Sequence, residues 1–260
     1  MLKVWTEEFL STVAKLDPKF IALHCQEVGG KNYKCSMKHV EFFVRLLVSS
    51  EELRLFDRVQ VFLDEDYSSA ENFTSKALYL QEGRRFTLGT SRLSVQRKKL
   101  NSRRPSFQRF HNHRCGSAPF FLFGDFNFRT DTHAVVQLRE YDRELEPFAS
   151  QLFEFPISFQ PSYPFEEDEQ GAKLYMKTRC PAWCDRILLS NSAKSLVKNF
   201  SQADSVLYGL MGTSTSMGDH KPVYLRLQMD LSAGMMTLAA LLCLALYASP
   251  RAAFLLIDDI

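Results

Sequence analysis

At 260 residues, with 45% apolar and 24% charged side chains, the chain is long enough for one large α/β domain with a full core, and it is neither fibrous nor compositionally disordered. A net charge of +2 does not by itself announce a polyanionic partner. Six cysteines with no CxxC pair exclude a disulfide framework and read as reduced, intracellular thiols, and the N-terminal MLKVWTEEFL lacks the apolar stretch of a signal peptide.

Trp5, Phe9, Val13 and Leu16 recur at helical spacing, so a helix is expected over 5–16, closed by Pro18. FIALHC at 20–25 has the length of a buried strand and ends at Gln26-Glu27, then Gly29-Gly30. Met37, Val40, Val44 and Leu47 predict a second helix over about 36–48, and VQVFLDE at 59–65 is the next strand. Helices alternating with strands argue for a layered α/β architecture. Residues 84–114 break the pattern: they hold ten Lys/Arg, no acidic residue and scattered serines, and they leave the remainder net acidic. Such a block reads as a solvated loop or an electrostatic tether. Nucleic-acid binding is disfavoured, because the aromatics are few (Phe86, Phe107, Phe110).

APFFLFGD at 118–125 is a buried strand entering a Gly-Asp turn, and a helix is expected over about 133–150. FEFPISFQPSYPF at 153–165 reads as extended segments and turns, since each proline disfavours helix on its N-terminal side. DRILLS is a strand, and PVYLRLQM alternates at Val223, Leu225, Leu227 and Met229 as a half-buried strand does. The division expected is a domain over 1–230 and an apolar tail over 231–260. Within the tail, MMTLAALLCLALYA at 235–248 falls short of the about 20 apolar residues a membrane span needs. A buried or frayed terminal helix is one reading and a membrane tail anchor the other; the terminal IDDI excludes a prenylation box.

Chemistry-bearing residues gather where strands meet turns. Gln26-Glu27 follows a strand, and alone it is ordinary surface. Asp125 and Asn127 in GDFNF (124–128) would face one side of an extended strand, with Phe126 and Phe128 on the other; the plainer reading is a pair of turn-closing residues. PAWCDRIL (181–188) carries Asp185, and GDHKPVYL (218–225) carries Asp219 and His220. Lys177 and Arg179 stand one alternating step apart just upstream, where a solvated basic turn is the bland alternative. Trp183 and Cys184 read as packing, since Cys184 has no adjacent base.

In this order, GDFNF with Arg129, PAWCDRIL and GDHKPVYL resemble the active-site strands of the inositol polyphosphate 5-phosphatases, and ALHCQEVGGKNY is similar to the type I enzymes. The resemblance implies an endonuclease/exonuclease/phosphatase, DNase I-like fold, a two-sheet α/β sandwich with helices outside. It implies Mg²⁺ as cofactor, with Glu27 and Asp219 at the metal, and a soluble inositol polyphosphate as substrate. Asp125 would orient the nucleophilic water as base, Asn127 would hold water and phosphate, and His220 would contact the phosphoryl oxygens. Asp185 would accept a hydrogen bond from His220 and fix its tautomer, while Lys177, Arg179 and Tyr163 would grip the 4-phosphate. Pro164 stands where lipid-directed members carry Lys, which leans toward soluble inositol phosphates. The expected activity is removal of the 5-phosphate from inositol 1,4,5-trisphosphate and 1,3,4,5-tetrakisphosphate, ending a calcium-mobilising signal. The expected location is the cytoplasm, with the apolar tail as the feature that would bring the chain to the plasma membrane.

The resemblance covers about 4–72 and 118–229. Three family strands have no match: an opening strand bearing Asn, a Gly-x-x-x-Arg-Trp strand and an Asn-x-His-Leu strand. The nearest imidazoles, His111 and His113, lie in RFHNHRCG, which does not fit. The sandwich is therefore expected to be incomplete, with unpaired strand edges and weak or no turnover. A catalytically silent inositol phosphate-binding fragment is the alternative. A DNase-like nuclease is disfavoured, because PAWCDRIL with its upstream Lys-x-Arg is the phosphatase form of that strand.

Overall fold

The computed structural model describes residues 2–26, 33–56, 58–62, 75–81, 119–128, 142–167, 173–202, 205–212, 215, 218–229, 242–246 and 251–258. Helix α1 (Leu2–Leu16) turns Trp5, Phe9 and Val13 inward at i, i+4 spacing. It stops where Asp17 adopts a left-handed φ of 43° and its N–H donates to the Val13 carbonyl at 2.9 Å. Pro18 follows and cannot continue the ladder. Helix α2 (Tyr33–Val48) buries Val40, Phe43 and Leu47.

Among the described residues, ten strands form two sheets: β1 (Phe20–Gln26), β2 (Arg58–Phe62), β3 (Ser75–Gln81), β4 (Phe120–Asp125), β5 (Leu152–Phe153), β6 (Asp185–Ser190), β7 (Leu207–Leu210), β8 (Val223–Gln228), β9 (Leu242–Leu246) and β10 (Arg251–Asp258). The larger sheet runs β2-β3-β1-β10-β8-β7 and the smaller β5-β6-β4-β9. Between them lies a core of Phe20 and Ala22 from β1, Phe121 and Phe123 from β4, Ile187 and Leu189 from β6, and Val223, Leu225 and Leu227 from β8. Alternation sends Ile21, Leu23 and Cys25 to the other face of β1, where they meet Trp5, Phe9, Phe43 and Leu47 of the helices. This is the two-sheet α/β sandwich with helices outside that the motifs implied.

The structure departs from expectation in the tail, at the sheet edges and over 133–150, and it adds one strand. The apolar tail is not a helix where it is described: β9 pairs parallel with β4, and β10 lies between β1 and β8. Helix propensity of the apolar residues yields here to tertiary context, because pairing with β4, β1 and β8 satisfies the backbone groups that a helix would otherwise satisfy internally. For the same reason neither β1 nor β8 is left with an open edge; β10 spans all seven residues of β1 from Gln26↔Arg251 to Phe20↔Ile257. No helix among the described residues is long and apolar enough to cross a membrane. Strand β3 was unforeseen, yet it pairs in register with both β1 and β2. Finally, the described part of the helix expected over 133–150 is turns and one 3-10 segment, Glu146–Phe148, because Pro147 supplies no N–H to an α-helical ladder. The basic block 84–114 lies outside the described residues.

Candidate active site

Antiparallel pairing of β4 with β6 places Asp125, the last residue of one, directly opposite Asp185, the first residue of the other. Period-two alternation behind Phe121 and Phe123, and ahead of Ile187 and Leu189, turns both carboxylates into the inter-sheet layer. His220 enters from the turn before β8. Asp125, Asp185 and His220 are all buried, and one ligand atom from each lies within 4.8 Å of the others. The His220 Nδ1 is 2.7 Å from Asp185 Oδ2, and its Nε2 is 3.9 Å from Asp219 Oδ1.

Two further contacts build out this pair. The Ser162 hydroxyl donates to Asp185 Oδ2 at 2.7 Å and accepts from the Asp185 backbone N–H at 3.2 Å. The Tyr163 ring lies 4.3 Å from the His220 ring, and exposed Arg179 donates to the Tyr163 hydroxyl with its guanidinium 5.8 Å from that ring. A line of contact therefore runs from a surface cation to the buried imidazole.

The turn bearing Asp219 and His220 is held from three sides. Lys221 N–H donates to the Ser162 carbonyl and Phe165 N–H to the Asp219 carbonyl, both at 2.8 Å. Glu8 of α1 accepts from the Gly212 N–H at 2.7 Å and from the Thr215 hydroxyl at 3.0 Å; Gly212 has a φ of 77°, a conformation that costs glycine little. The Lys221 ammonium donates to the Thr215 carbonyl over the Phe165 ring. Burial lowers its pKa to about 8, against the opposing pull of Glu8.

Burial is also the main influence on Asp185, raising its carboxyl well above the usual range. The Ser162 hydrogen bond opposes that rise and the Asp219 charge adds to it. Asp185 Oδ1 is buried with no hydrogen-bond partner among the described residues.

Of the residues singled out by motif, the structure brings together Asp125, Asp185, His220, Tyr163 and Arg179, with Asp219 at the rim, its side chain 19% exposed. Lys177 is exposed on the segment before β6. Asn127 corrects the alternation argument. The strand ends at Asp125, Asn127 turns to a left-handed φ of 55°, and its N–H donates to Asp125 Oδ1 at 2.5 Å. Its side chain is exposed rather than alongside the buried carboxylates, because an Asp that accepts from the backbone two residues on closes a turn. Glu27 and Arg129 lie outside the described residues. Trp183 and Cys184 pack: the indole donates to the Phe159 carbonyl, and the thiol lies 3.1 Å from the Phe128 carbonyl.

The donors suit a hard divalent cation. Asp125 and Asp185, whose Oδ1 has no hydrogen-bond partner among the described residues, offer oxygens beside the His220 imidazole, with Asp219 at the rim, and Mg²⁺ prefers such oxygen donors over a cage of nitrogen and sulfur. Motif reading missed Ser162 and Glu8, whose partners come from strands and turns far away in sequence, so no local pattern marks them.

Residues 77–226 match the family Endonuclease/Exonuclease/phosphatase family 2. Inositol polyphosphate-5-phosphatase A of Homo sapiens is 30% identical over 369 aligned positions, covering 89% of this chain and 90% of that one. The Rattus norvegicus protein is 29% identical over the same shares. An alignment longer than the chain means that these relatives carry internal residues with no counterpart here. The probable type I inositol 1,4,5-trisphosphate 5-phosphatase of Caenorhabditis elegans is 46% identical over 87 residues, 34% of this chain and 20% of that one. Among solved structures, the inositol polyphosphate 5-phosphatase domain of SPsynaptojanin, in complex with inositol (1,4)-bisphosphate and calcium ion, overlaps with a TM-score of 0.40 at 17% identity. That overlap covers 72% of this chain and 67% of that one.

Proposed function

Because this chain belongs to the inositol polyphosphate 5-phosphatases of the endonuclease/exonuclease/phosphatase family, we propose that it is a Mg²⁺-dependent phosphomonoesterase releasing the 5-phosphate of inositol 1,4,5-trisphosphate and inositol 1,3,4,5-tetrakisphosphate. The buried cluster of Asp125, Asp185 and His220 carries this reading. Asp125 aligns the attacking water and accepts its proton. The water oxygen bonds to phosphorus as the bond from phosphorus to the inositol oxygen breaks, and the departing oxygen is protonated. His220, with Nδ1 held by Asp185, presents Nε2 toward the phosphoryl oxygens. Glu27 and Asp219, with the oxygens of Asp125 and Asp185, are the residues to hold Mg²⁺, which when bound neutralises charge developing on the phosphoryl group.

Arg179, braced by Tyr163, and Lys177 supply charge for a second phosphate of the substrate. Pro164 after Tyr163 supports a soluble inositol phosphate over a lipid, since the lysine of lipid-directed members is replaced. The relatives' additional internal residues support weak turnover.

The test is phosphate release from inositol 1,4,5-trisphosphate by the purified chain in Mg²⁺, beside Asp125→Ala. Slow release that the substitution abolishes is the expected result. Binding without release would favour a silent inositol phosphate-binding protein, a reading that the additional residues of the relatives also support. Cleavage of a polynucleotide in preference to the inositol phosphate would overturn both.

A further inference from the structure

We propose that Ser162 is a positioning residue of this active site: its buried hydroxyl selects the Asp185 oxygen that faces His220 and thereby holds the imidazole in the tautomer that presents Nε2. The proposal rests on the phosphatase reading above for its kinetic consequence, though not for its geometry.

A serine hydroxyl has one proton to donate and lone pairs to accept with. Here it accepts the Asp185 backbone N–H at 3.2 Å, and its own proton goes to Asp185 Oδ2 at 2.7 Å. That same oxygen meets His220 Nδ1 at 2.7 Å, while Oδ1 is left without a partner among the described residues. One carboxylate oxygen therefore receives two convergent donors, and the carboxylate cannot rotate about its own axis without giving up both. With Nδ1 committed as donor, Nε2 is the nitrogen left on the Asp219 side of the ring, 3.9 Å from Asp219 Oδ1.

Ser162 is also joined to the other half of the pair through its backbone, since its carbonyl accepts the Lys221 N–H at 2.8 Å. It thus spans β6 and the turn before β8, the two segments that must stay in register for Asp185 to meet His220. The residue is fully buried, so water cannot take the place of its hydroxyl. A serine that only filled space would need neither bond.

The substitutions that isolate the hydroxyl are Ser162→Ala, and Ser162→Thr beside Ser162→Val, which share an added volume and differ in the hydroxyl. With the full chain and inositol 1,4,5-trisphosphate in Mg²⁺, Ser162→Ala is expected to lower kcat by about tenfold while changing KM less than about twofold. Ser162→Thr should retain several-fold more kcat than Ser162→Val. Independently of turnover, imidazole ¹⁵N spectra of the folded chain should show His220 with its proton on Nδ1, and a second tautomer in Ser162→Ala. Equal kcat for wild type and Ser162→Ala, equal Thr and Val variants, an unchanged tautomer, or failure of Ser162→Ala to fold would each overturn the positioning role. A wild-type chain that releases no phosphate would sink the activity instead, and the imidazole spectra would still decide the role of Ser162.

Discussion

Asp185 and Arg186 are consecutive residues of β6, and their side chains enter two buried polar clusters of opposite character. Arg186 is fully engaged: its Nε and NH2 donate to Glu154 at 2.7 and 2.5 Å, and its NH1 donates to both oxygens of Asp142 at 2.9 Å. Tyr208 closes that network by donating to Glu154 and accepting the Ile187 N–H, each at 2.9 Å. Asp185 shares one oxygen between Ser162 and His220, while the other has no hydrogen-bond partner among the described residues, with burial raising its carboxyl. A satisfied network in low dielectric specifies structure, whereas a partly satisfied one stores free energy that a metal or substrate can release. The contrast assigns stability to one residue and chemistry to its neighbour.

Four measurements put this contrast to the test. The largest effect is expected for Arg186→Met, which leaves Asp142 and Glu154 buried without their cation and should cost about 3–5 kcal/mol of unfolding free energy. Urea titration would measure it; a loss below about 1 kcal/mol would mean that the network is not structural. Asp185→Asn should do the reverse, lowering kcat by on the order of 10²-fold while leaving the urea midpoint nearly unchanged. Comparable losses of stability from both substitutions would erase the distinction.

His24 provides the third measurement. It is fully buried on β1, its ring nitrogens have no hydrogen-bond partner among the described residues, and it lies edge-on to Phe123. Burial lowers its pKa from 6.5 to about 3. The unfolded chain therefore binds a proton below pH 6.5 that the folded chain refuses, so stability is retained above that pH and falls by about 1.4 kcal/mol per unit below it. At pH 5 the deficit is about 2 kcal/mol, and His24→Leu should remove it. Unfolding curves at pH 7 and 5 that shift equally in both proteins would rule out this histidine as the cause. The smallest effect belongs to Lys3→Ala: its pair with Glu7, 3.9 Å apart and largely exposed, should be worth under about 0.5 kcal/mol by the same titration. A larger value would mean that exposed pairs rank with buried ones here.

Much of the sandwich and its site was legible in one dimension because the relevant order is local. Helical spacing of Trp5, Phe9 and Val13 found α1, period two found β8, and the GDFNF, PAWCDRIL and GDHKPVYL stretches located Asp125, Asp185 and His220 at strand ends. Alternation failed at Asn127, where a backbone N–H turning back to Asp125 replaced the extended conformation. The helix reading failed in the described part of the tail, whose apolar residues have helical propensity in isolation and strand pairing in the sandwich.

Element types, the inward face of each amphipathic segment and the identity of the acidic and imidazole groups follow from side-chain chemistry and periodicity, which act over a few residues. The slot of β10 between β1 and β8, the open oxygen of Asp185 and the parts played by Ser162 and Glu8 depend on strand register and on contacts between residues far apart in the chain. Those contacts exist only once the entropy of closing long loops has been overcome by burial of the shared core, so they leave no trace in the local pattern.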